Sequence, residues 1–222
     1  MNTKIIATLL ALPLLAACAP QVESTIYLAD VQKVLADGQA LETPALLRIP
    51  QGGEEDCKKG LDALIEKVKT LAPVTGKGQC ISKDGDQLAE IEIGLQIVTP
   101  DSTYDAANLF ALEASPADAD GNVALSLHVL KPIDDVVKAL ASENSMSTDF
   151  DPTKFILHIN NDGTGSVTLD PGEVFVDGKP HLAGGDPVTL QRRGEIEIRF
   201  SDVASAYAEL GNAYGFTTIA MN

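Results

Sequence analysis

Four residues near the start of the chain, Leu15-Ala16-Ala17-Cys18, have the types and spacing at which a cysteine thiol is lipidated. Small residues before the cysteine form a lipobox, where a lipoprotein peptidase cuts once the thiol carries diacylglycerol. Upstream lie one positive charge, Lys4, and an apolar run from Ile5 to Leu15, which is too short for a membrane span of about 20 residues. We therefore predict that residues 1–17 are a lipoprotein signal peptide and that Cys18 carries the lipid. The alternatives are a plain signal peptide with a coincidental cysteine, or a short buried helix.

A lipid on Cys18 would anchor the chain to a membrane without a spanning helix, because each buried methylene contributes about 0.8 kcal/mol of membrane affinity. Ala19 follows the cysteine, where lipoproteins retained at the inner membrane commonly have aspartate. We therefore expect an exported protein on the periplasmic leaflet of the outer membrane. Residues 18–23 would be a lipidated tether, and residues 24–222 a periplasmic domain.

Two further cysteines, Cys57 and Cys80, remain after lipidation. In an oxidising compartment, such a pair predicts one disulfide. Closing a loop of about 24 residues contributes roughly 3 kcal/mol to stability. A metal pair or a redox dithiol is the alternative, which the absence of a C-x-x-C spacing disfavours.

The remaining residues that could do chemistry form no recognisable catalytic pattern. His128 and His158 lie on the polar phase of predicted strands, where a metal pair across neighbouring strands is the alternative to a solvated surface, and His181 lies in a Gly/Pro-rich loop. The chain has no G-x-S-x-G elbow and no phosphate-binding glycine loop. Two turns, Asp118–Asn122 and Asn160–Gly163, resemble calcium-loop fragments but lack the ligand series and the glutamate at the twelfth position. We predict no catalytic residue, no metal and no cofactor, and hence no enzyme.

The charge balance limits the partners. The chain has a net charge of −16, and the mature chain would be one unit more negative because Lys4 leaves with the signal. An acidic surface disfavours nucleic acid and anionic lipid headgroups. Hydrophobic residues make up 45% of the sequence, enough for a buried core.

Hydrophobic periodicity predicts an α+β fold, with a mostly antiparallel sheet built from hairpins and three or four amphipathic helices. Helices are predicted over 29–36, 54–71, 133–141 and 201–210, the last with Ser201 as N-cap. Strands are predicted over 24–28, 41–49, 80–83, 87–98, 108–113, 122–130, 155–159, 166–169, 174–176, 195–200 and 216–220.

Three local patterns refine this prediction. Pro44 indicates an edge strand over 41–49, because proline cannot donate to a sheet ladder. Asp84-Gly85 predicts a hairpin turn, and Asn161-Asp162-Gly163 predicts a second hairpin that pairs 155–159 with 166–169. Alternation over 87–98 predicts one buried face and one wet face that carries Glu90 and Glu92.

Strand–helix junctions recur at 28–31, 133–136 and 200–203. They indicate either repeated strand–helix–strand units or three independent acidic helix starts, since Asp near a helix N-terminus is favourable in any case. Residues 144–153 are the best boundary if the domain has two lobes.

From Cys18 to about Ile49, the chain resembles a group of uncharacterised lipoproteins of proteobacteria and their prophages. The lipobox, the Thr25–Val31 segment and the Leu46–Ile49 strand carry this resemblance. It implies export and lipidation, and no activity. A prophage origin would make modification of the host envelope a natural role, for instance exclusion of further phage.

Three functions remain open from the sequence. The first is a lipid-anchored periplasmic binding or interaction module with an unknown envelope protein or small ligand as its partner. The second is a lipid or small-ligand carrier with an apolar cavity, and the least favoured is an envelope hydrolase. A large apolar pocket would favour the carrier, and a cleft with converging histidines or carboxylates would favour the enzyme.

Overall fold

The computed structural model describes residues 19–116, 119–131 and 153–220. The predicted signal peptide, Cys18, the predicted helix over 133–141 and the boundary over 144–152 lie outside these residues. The described residues contain three helices, which we number α1 (Leu28–Asp37), α2 (Glu54–Lys69) and α3 (Asp202–Glu209).

Strands account for 47% of the described residues. They are β1 (Gln21–Tyr27), β2 (Leu41–Gln51), β3 (Gln79–Lys83), β4 (Asp86–Val98), β5 (Phe110–Pro116), β6 (Asn122–Val129), β7 (Lys154–Asn160), β8 (Val167–Pro171), β9 (Val174–Val176), β10 (Lys179–His181), β11 (Val188–Leu190), β12 (Glu195–Arg199) and β13 (Tyr214–Ala220).

All these strands belong to one sheet, in the order β10-β9-β12-β7-β1-β2-β4-β5-β6-β13-β8-β11, with β3 paired to β4. Two pairs are parallel, β1 with β7 and β4 with β5. The prediction of a balanced α+β fold with a mostly antiparallel sheet is therefore corrected to a predominantly β fold with a mixed sheet. Short strands that pair far along the sequence leave no local periodicity from which this balance could be counted.

The sheet curls so that distant strands meet. The Asn161 side chain, just after β7, donates to the carbonyls of Gly165 and Leu190, although β11 lies at the far end of the strand order. In the interior, the Phe110 and Phe155 rings pack edge to face at 5.5 Å. Both rings are fully buried, so large side chains fill the space that the curled sheet encloses.

The predicted hairpin across Asn161-Asp162-Gly163 is wrong. β7 pairs with β1 and β12, whereas β8 pairs with β13 and β11. The turn carries the chain from one part of the sheet to another. Asp162 accepts the N–H of Ala29 at 3.0 Å, and so it satisfies a backbone donor in the first turn of α1.

The edge position predicted from Pro44 is also wrong, because β2 lies between β1 and β4. The β1–β2 ladder ends with Ser24 opposite Ala45, one residue short of Pro44. The backbone N–H that Pro44 lacks is therefore not needed, because the ladder with β1 has already ended at this position. The hydroxyl of Ser24 donates to the Pro44 carbonyl at 2.8 Å.

The second face of β4 is not wet as predicted. Glu90 is buried against Arg48 of β2, with 2.8 Å between the Glu90 carboxylate and the Arg48 Nε, and Arg48 also bonds Glu23 of β1. Glu92 is half-buried and accepts the Thr75 hydroxyl at 2.8 Å. Neighbouring strands and loops cover this face, which alternation within one strand does not reveal.

The local elements agree better with the sequence. The Asp84-Gly85 turn joins β3 and β4 as predicted, with positive φ at both residues. Two of the three strand–helix junctions are present, at the starts of α1 and α3. Residues predicted as a tether belong to the folded body, because β1 begins at Gln21 and Ala19 is buried.

Candidate functional site

An open apolar groove lies between α3 and the β9–β10 hairpin. Its volume is about 600 Å³. The residues that line it are Glu173, Val174, Phe175, Pro180, His181, Leu182, Ser201, Val203, Ala204, Tyr207 and Tyr214. We call this region the α3 groove.

Two local signals fix the walls of the groove. The Ser201 hydroxyl accepts the N–H of Ala204 at 3.2 Å and starts α3, as the sequence predicts. Asp177-Gly178 has positive φ at both residues, which is typical of a two-residue type I′ hairpin and joins β9 to β10.

Aromatic rings connect the groove to the core. Phe200 is buried and lies 5.7 Å from Phe155, 5.5 Å from Phe216 and 5.0 Å from Tyr214, measured between ring centroids. The Tyr214 hydroxyl donates to the Glu173 carbonyl at 2.8 Å. Burial raises the pKa of Tyr214, and the nearby Glu173 raises it further, so this phenol stays neutral. Tyr214 therefore gives the groove an uncharged ring that packs on the core through Phe200.

α3 packs on the sheet in an unusual way. Its buried residues are the small Ala204, Ser205 and Ala208. The larger apolar residues of α3 and of its C-cap, Leu210, point outward instead: Val203 and Leu210 are 81% exposed and Tyr207 is 49% exposed. Their spacing of four and three residues places them on one side of a helix. We call these three residues the α3 stripe.

The stripe is part of a concentrated apolar surface. Five large apolar side chains are exposed among the described residues, and four of them are the α3 stripe and Leu182, which lies across the groove. The fifth is Tyr27, at the end of β1. Exposed apolar residues are unremarkable when scattered, whereas a cluster beside a groove marks an interaction surface.

Strand addition does not explain this surface. β10 is an edge strand, and in a two-residue hairpin Val176 and Lys179 form the first hydrogen-bonded pair. Pro180 is then the residue of β10 whose backbone faces outward, and proline has no N–H to donate. The edge is therefore poorly suited to pairing, and the groove and the stripe remain as the contact surface.

His181 braces the wall of the groove. Its Nδ1 lies 3.4 Å from the Gly172 carbonyl oxygen, and its Nε2 lies 3.0 Å from the Asp186 carbonyl oxygen. Both ring nitrogens face backbone carbonyls, so neither is directed at a ligand in the groove. The ring holds the loop after β10 in place.

The other two histidines lie apart, on β6 and β7, which are not neighbouring strands. The metal-pair alternative for His128 and His158 is thus unsupported. Within the described ranges, no group of three or more His, Cys, Asp or Glu could hold a metal ion.

His128 belongs to a small cluster on β5, β6 and the preceding loop. Its Nε2 lies 3.5 Å from a Glu113 carboxylate oxygen, to which the Tyr104 hydroxyl donates at 2.7 Å. Burial lowers the pKa of His128, and Glu113 opposes that shift. Burial and the Glu113 carboxylate both raise the pKa of Tyr104. The cluster holds neutral rings against one carboxylate.

His158 belongs to a row of ionisable side chains across β12, β7, β1, β2 and β4. Its Nε2 lies 3.3 Å from Glu23, and its Nδ1 lies 3.5 Å from Glu195. Glu23 also pairs with Arg48 and Lys83. The row ties five strands together and lies outside the groove lining.

Among the predicted site residues, Cys57 and Cys80 form the predicted disulfide, with a Cα–Cα distance of 6.0 Å. It joins the first turn of α2 to β3. Cys18 lies outside the described residues. In the Asn160–Gly163 turn, the Asn161 side-chain oxygen accepts the Gly163 N–H, and Asp162 bonds α1, so local contacts use these oxygens.

Sequence reasoning identified the helix around α3 but missed the groove. The available signal was the spacing of 203, 207 and 210, which marks an apolar face opposite the small residues. The sequence does not show which of these two faces meets the sheet.

The described residues contain no helix that is both long and apolar enough to cross a membrane. No curated protein matches the chain. No solved structure matches it either. The chain belongs to the family defined by a domain of unknown function, DUF7424, whose family model matches residues 20–222.

Proposed function

We propose that this chain is a bacterial envelope lipoprotein that carries lipid on Cys18 and binds an apolar partner in the α3 groove. The chain belongs to a family of unknown function, which agrees with the resemblance of its sequence to an uncharacterised group. The lipobox supports the anchor. The Cys57–Cys80 disulfide supports an oxidising compartment such as the periplasm. Ala19 after the cysteine supports the outer membrane.

One observation carries the binding role: α3 turns its large apolar side chains toward solvent beside an open apolar groove. Full burial of a Val or Leu side chain is worth about 1.5–3 kcal/mol. Folding does not gain this free energy at Val203 and Leu210, because both side chains remain exposed. A partner that covers the stripe would recover it on binding.

The groove volume also favours a second candidate, a small-ligand carrier. Ligand pockets commonly measure about 300–1,000 Å³, and the α3 groove falls in this range. A carrier encloses most of its ligand, however, whereas this groove is open along one side and side chains fill the curled sheet. An interaction surface is therefore the better proposal. A hydrolase is disfavoured because, among the residues that line the groove, both ring nitrogens of His181 face backbone carbonyls and the Ser201 hydroxyl caps α3.

The anchor is tested by expressing the full-length gene in a Gram-negative host, separating the membranes and measuring the intact mass of the mature chain. We expect a chain that starts at Cys18, carries a lipid-sized mass increment and fractionates with the outer membrane. Cys18→Ala is the control and should lose all three properties. A soluble chain cut elsewhere would overturn the anchor.

The groove is tested in the same cells with a photo-crosslinking benzophenone amino acid in place of Tyr207 or, as a matched control, of Tyr27. Both tyrosines are partly exposed, at 49% and 42%. We expect a discrete adduct from position 207 and none from position 27. Adducts of equal yield at both positions would show that the α3 groove is not a binding surface.

A further inference from the structure

The strand register places the α3 groove at the end of the sheet where β1 begins. Gln21, the first residue of β1, lies opposite Lys154, the first residue of β7. On the other side of β7, Arg199 at the end of β12 lies opposite Ile156, and α3 starts three residues after Arg199. The groove and the start of β1 therefore share one end of the molecule.

Two hydrogen bonds, made by residues 153 and 154, connect the start of β1 to the end of α3. The N–H of Lys154 donates to the Pro20 carbonyl at 2.9 Å. The N–H of the preceding Thr153 donates to the Glu209 carboxylate, at the end of α3, at 2.8 Å. Leu210 of the stripe is the next residue. Two hydrogen bonds and one peptide unit thus separate Pro20 from the C-terminal end of α3.

The described residues at this end include no linker before β1. Ala19 is only 2% exposed and Pro20 is bonded to β7, so the folded body starts directly after residue 18. Consecutive Cα atoms lie about 3.8 Å apart. A lipid on Cys18 would hold the body against the bilayer at this end, with no linker between them. This step rests on the anchor proposed above.

The surface presented at this end suits a lipid interface. The α3 stripe and Leu182 are apolar and exposed, and Tyr207 carries a hydroxyl on an apolar ring, as side chains at membrane interfaces commonly do. A lipid attached directly before Ala19 would bring headgroups and acyl chains to this end of the body, next to the stripe.

We infer that the α3 stripe and the α3 groove rest on the membrane that holds the lipid anchor, and that their partner is a zwitterionic lipid surface. The headgroup class follows from charge. Three acidic residues, Glu173, Asp202 and Glu209, lie in or beside the groove. Two basic residues, Lys154 and Arg199, lie at the same end, and Arg199 is paired with Glu197. The whole chain carries a net charge of −16. Such a surface is repelled by anionic lipids and tolerated by phosphatidylcholine or phosphatidylethanolamine.

The absence of tryptophan from the chain permits a direct test. Tyr207→Trp places a single indole on the stripe, and Tyr27→Trp places one at the opposite end of β1 as a matched control. The lipidated proteins are purified from membranes and reconstituted in phosphatidylcholine vesicles that contain a bromine-labelled lipid, which quenches indoles within the bilayer. Vesicle flotation and intact mass are recorded for each sample.

We expect the Tyr207→Trp protein to lose about half of its emission and to shift to shorter wavelength, because a stripe residue lies at the depth of the headgroup–acyl boundary. The Tyr27→Trp protein should keep its emission. Leu210→Trp should behave like Tyr207→Trp, which guards against a local effect of one substitution. Anionic lipid added to the vesicles should weaken the quenching.

Equal emission from the stripe and control variants in floating, lipidated protein would overturn the membrane-facing surface and leave the anchor intact. If the emission instead changes in the absence of vesicles, and the change increases with protein concentration, the stripe contacts a second copy of the chain. That result would overturn the inference. A chain that lacks the lipid mass and does not float would overturn the proposed function, and the inference with it.

Discussion

The helices α2 and α3 both pack against the sheet, but they direct their large apolar side chains oppositely. α2 buries Leu64 and Val68 and is fastened to β3 by the Cys57–Cys80 disulfide. α3 buries only small residues and leaves Val203 and Leu210 exposed. The two helices have similar apolar periodicity in sequence and opposite orientations in the structure.

This difference distinguishes a helix that stabilises the core from a helix whose large apolar side chains stay at the surface. Apolar periodicity indicates that one face of a helix avoids water, and it does not indicate what covers that face. In α2 the cover is the protein's own sheet. In α3 the small side chains allow close approach to the sheet, and the larger ones remain exposed, where we propose that another surface covers them.

The largest expected effect tests this comparison with one leucine from each helix region. Leu64→Ala should lower the free energy of unfolding by about 2–5 kcal/mol, because it leaves a cavity under α2. Leu210→Ala removes the same atoms from an exposed position and should change it by less than about 0.5 kcal/mol. Urea unfolding of both variants measures the difference. Equal losses would mean that Leu210 is part of the core.

The disulfide should contribute somewhat less than a large core side chain. The double variant Cys57→Ser, Cys80→Ser should lose about 3 kcal/mol, because the unfolded chain gains the freedom that the cross-link removes. Reductant should lower the stability of the parent protein toward that of the variant and leave the variant unchanged. A parent protein indifferent to reductant, with the bond shown to be open, would contradict this prediction.

The sequence predicted the local elements and the disulfide well. Helical spacing located α1, α2 and α3, the Ser201 cap was visible as a residue type, and Asp84-Gly85 selected its hairpin. Each of these features depends on residues close together in the chain. The Cys57–Cys80 pair spans 23 positions, but only two cysteines remained to pair.

The sheet order was not predictable in the same way. The parallel pairing of β1 with β7 joins residues more than 130 positions apart, and a turn sequence such as Asn161-Asp162-Gly163 fits both a hairpin and a crossing. Pro44 wrongly indicated an edge strand, because the sequence does not show where the ladder between β1 and β2 ends. The groove depends on this order, since register brings α3, the β9–β10 hairpin and the start of β1 together.

Acidic pH should destabilise the sheet, because it protonates Glu23 on β1. Burial raises the pKa of this carboxyl, but hydrogen bonds and charges from Arg48 and Lys83 outweigh burial and lower the pKa from 4.5 to about 2. The ionised form is therefore favoured by folding. Its contribution is complete above pH 4.5 and disappears as pH falls to about 2. With allowance for partial exposure, we expect about 2 kcal/mol.

Unfolding of the parent protein and of Glu23→Gln across this pH range measures that contribution. The stability gap should be largest above pH 4.5 and close as the carboxyl protonates near pH 2. Glu66→Gln is the control, since Glu66 pairs with Lys69 on the exposed surface of α2 and its replacement should change the curve little. A gap that stays constant with pH would show that Glu23 acts by packing alone.

The smallest expected effects concern how each helix starts. Ser201→Ala removes the side-chain cap of α3 and should cost about 1 kcal/mol. The α2 N-cap is Gly53, which has extended backbone and no side-chain cap, so Gly53→Ser should add a few tenths of a kcal/mol. Chemical unfolding of both variants compares the two ends. If Ser201→Ala costs nothing, α3 is held by its small buried residues and by the Glu209 contact with Thr153. The position of the stripe would then depend on the contact between Glu209 and Thr153.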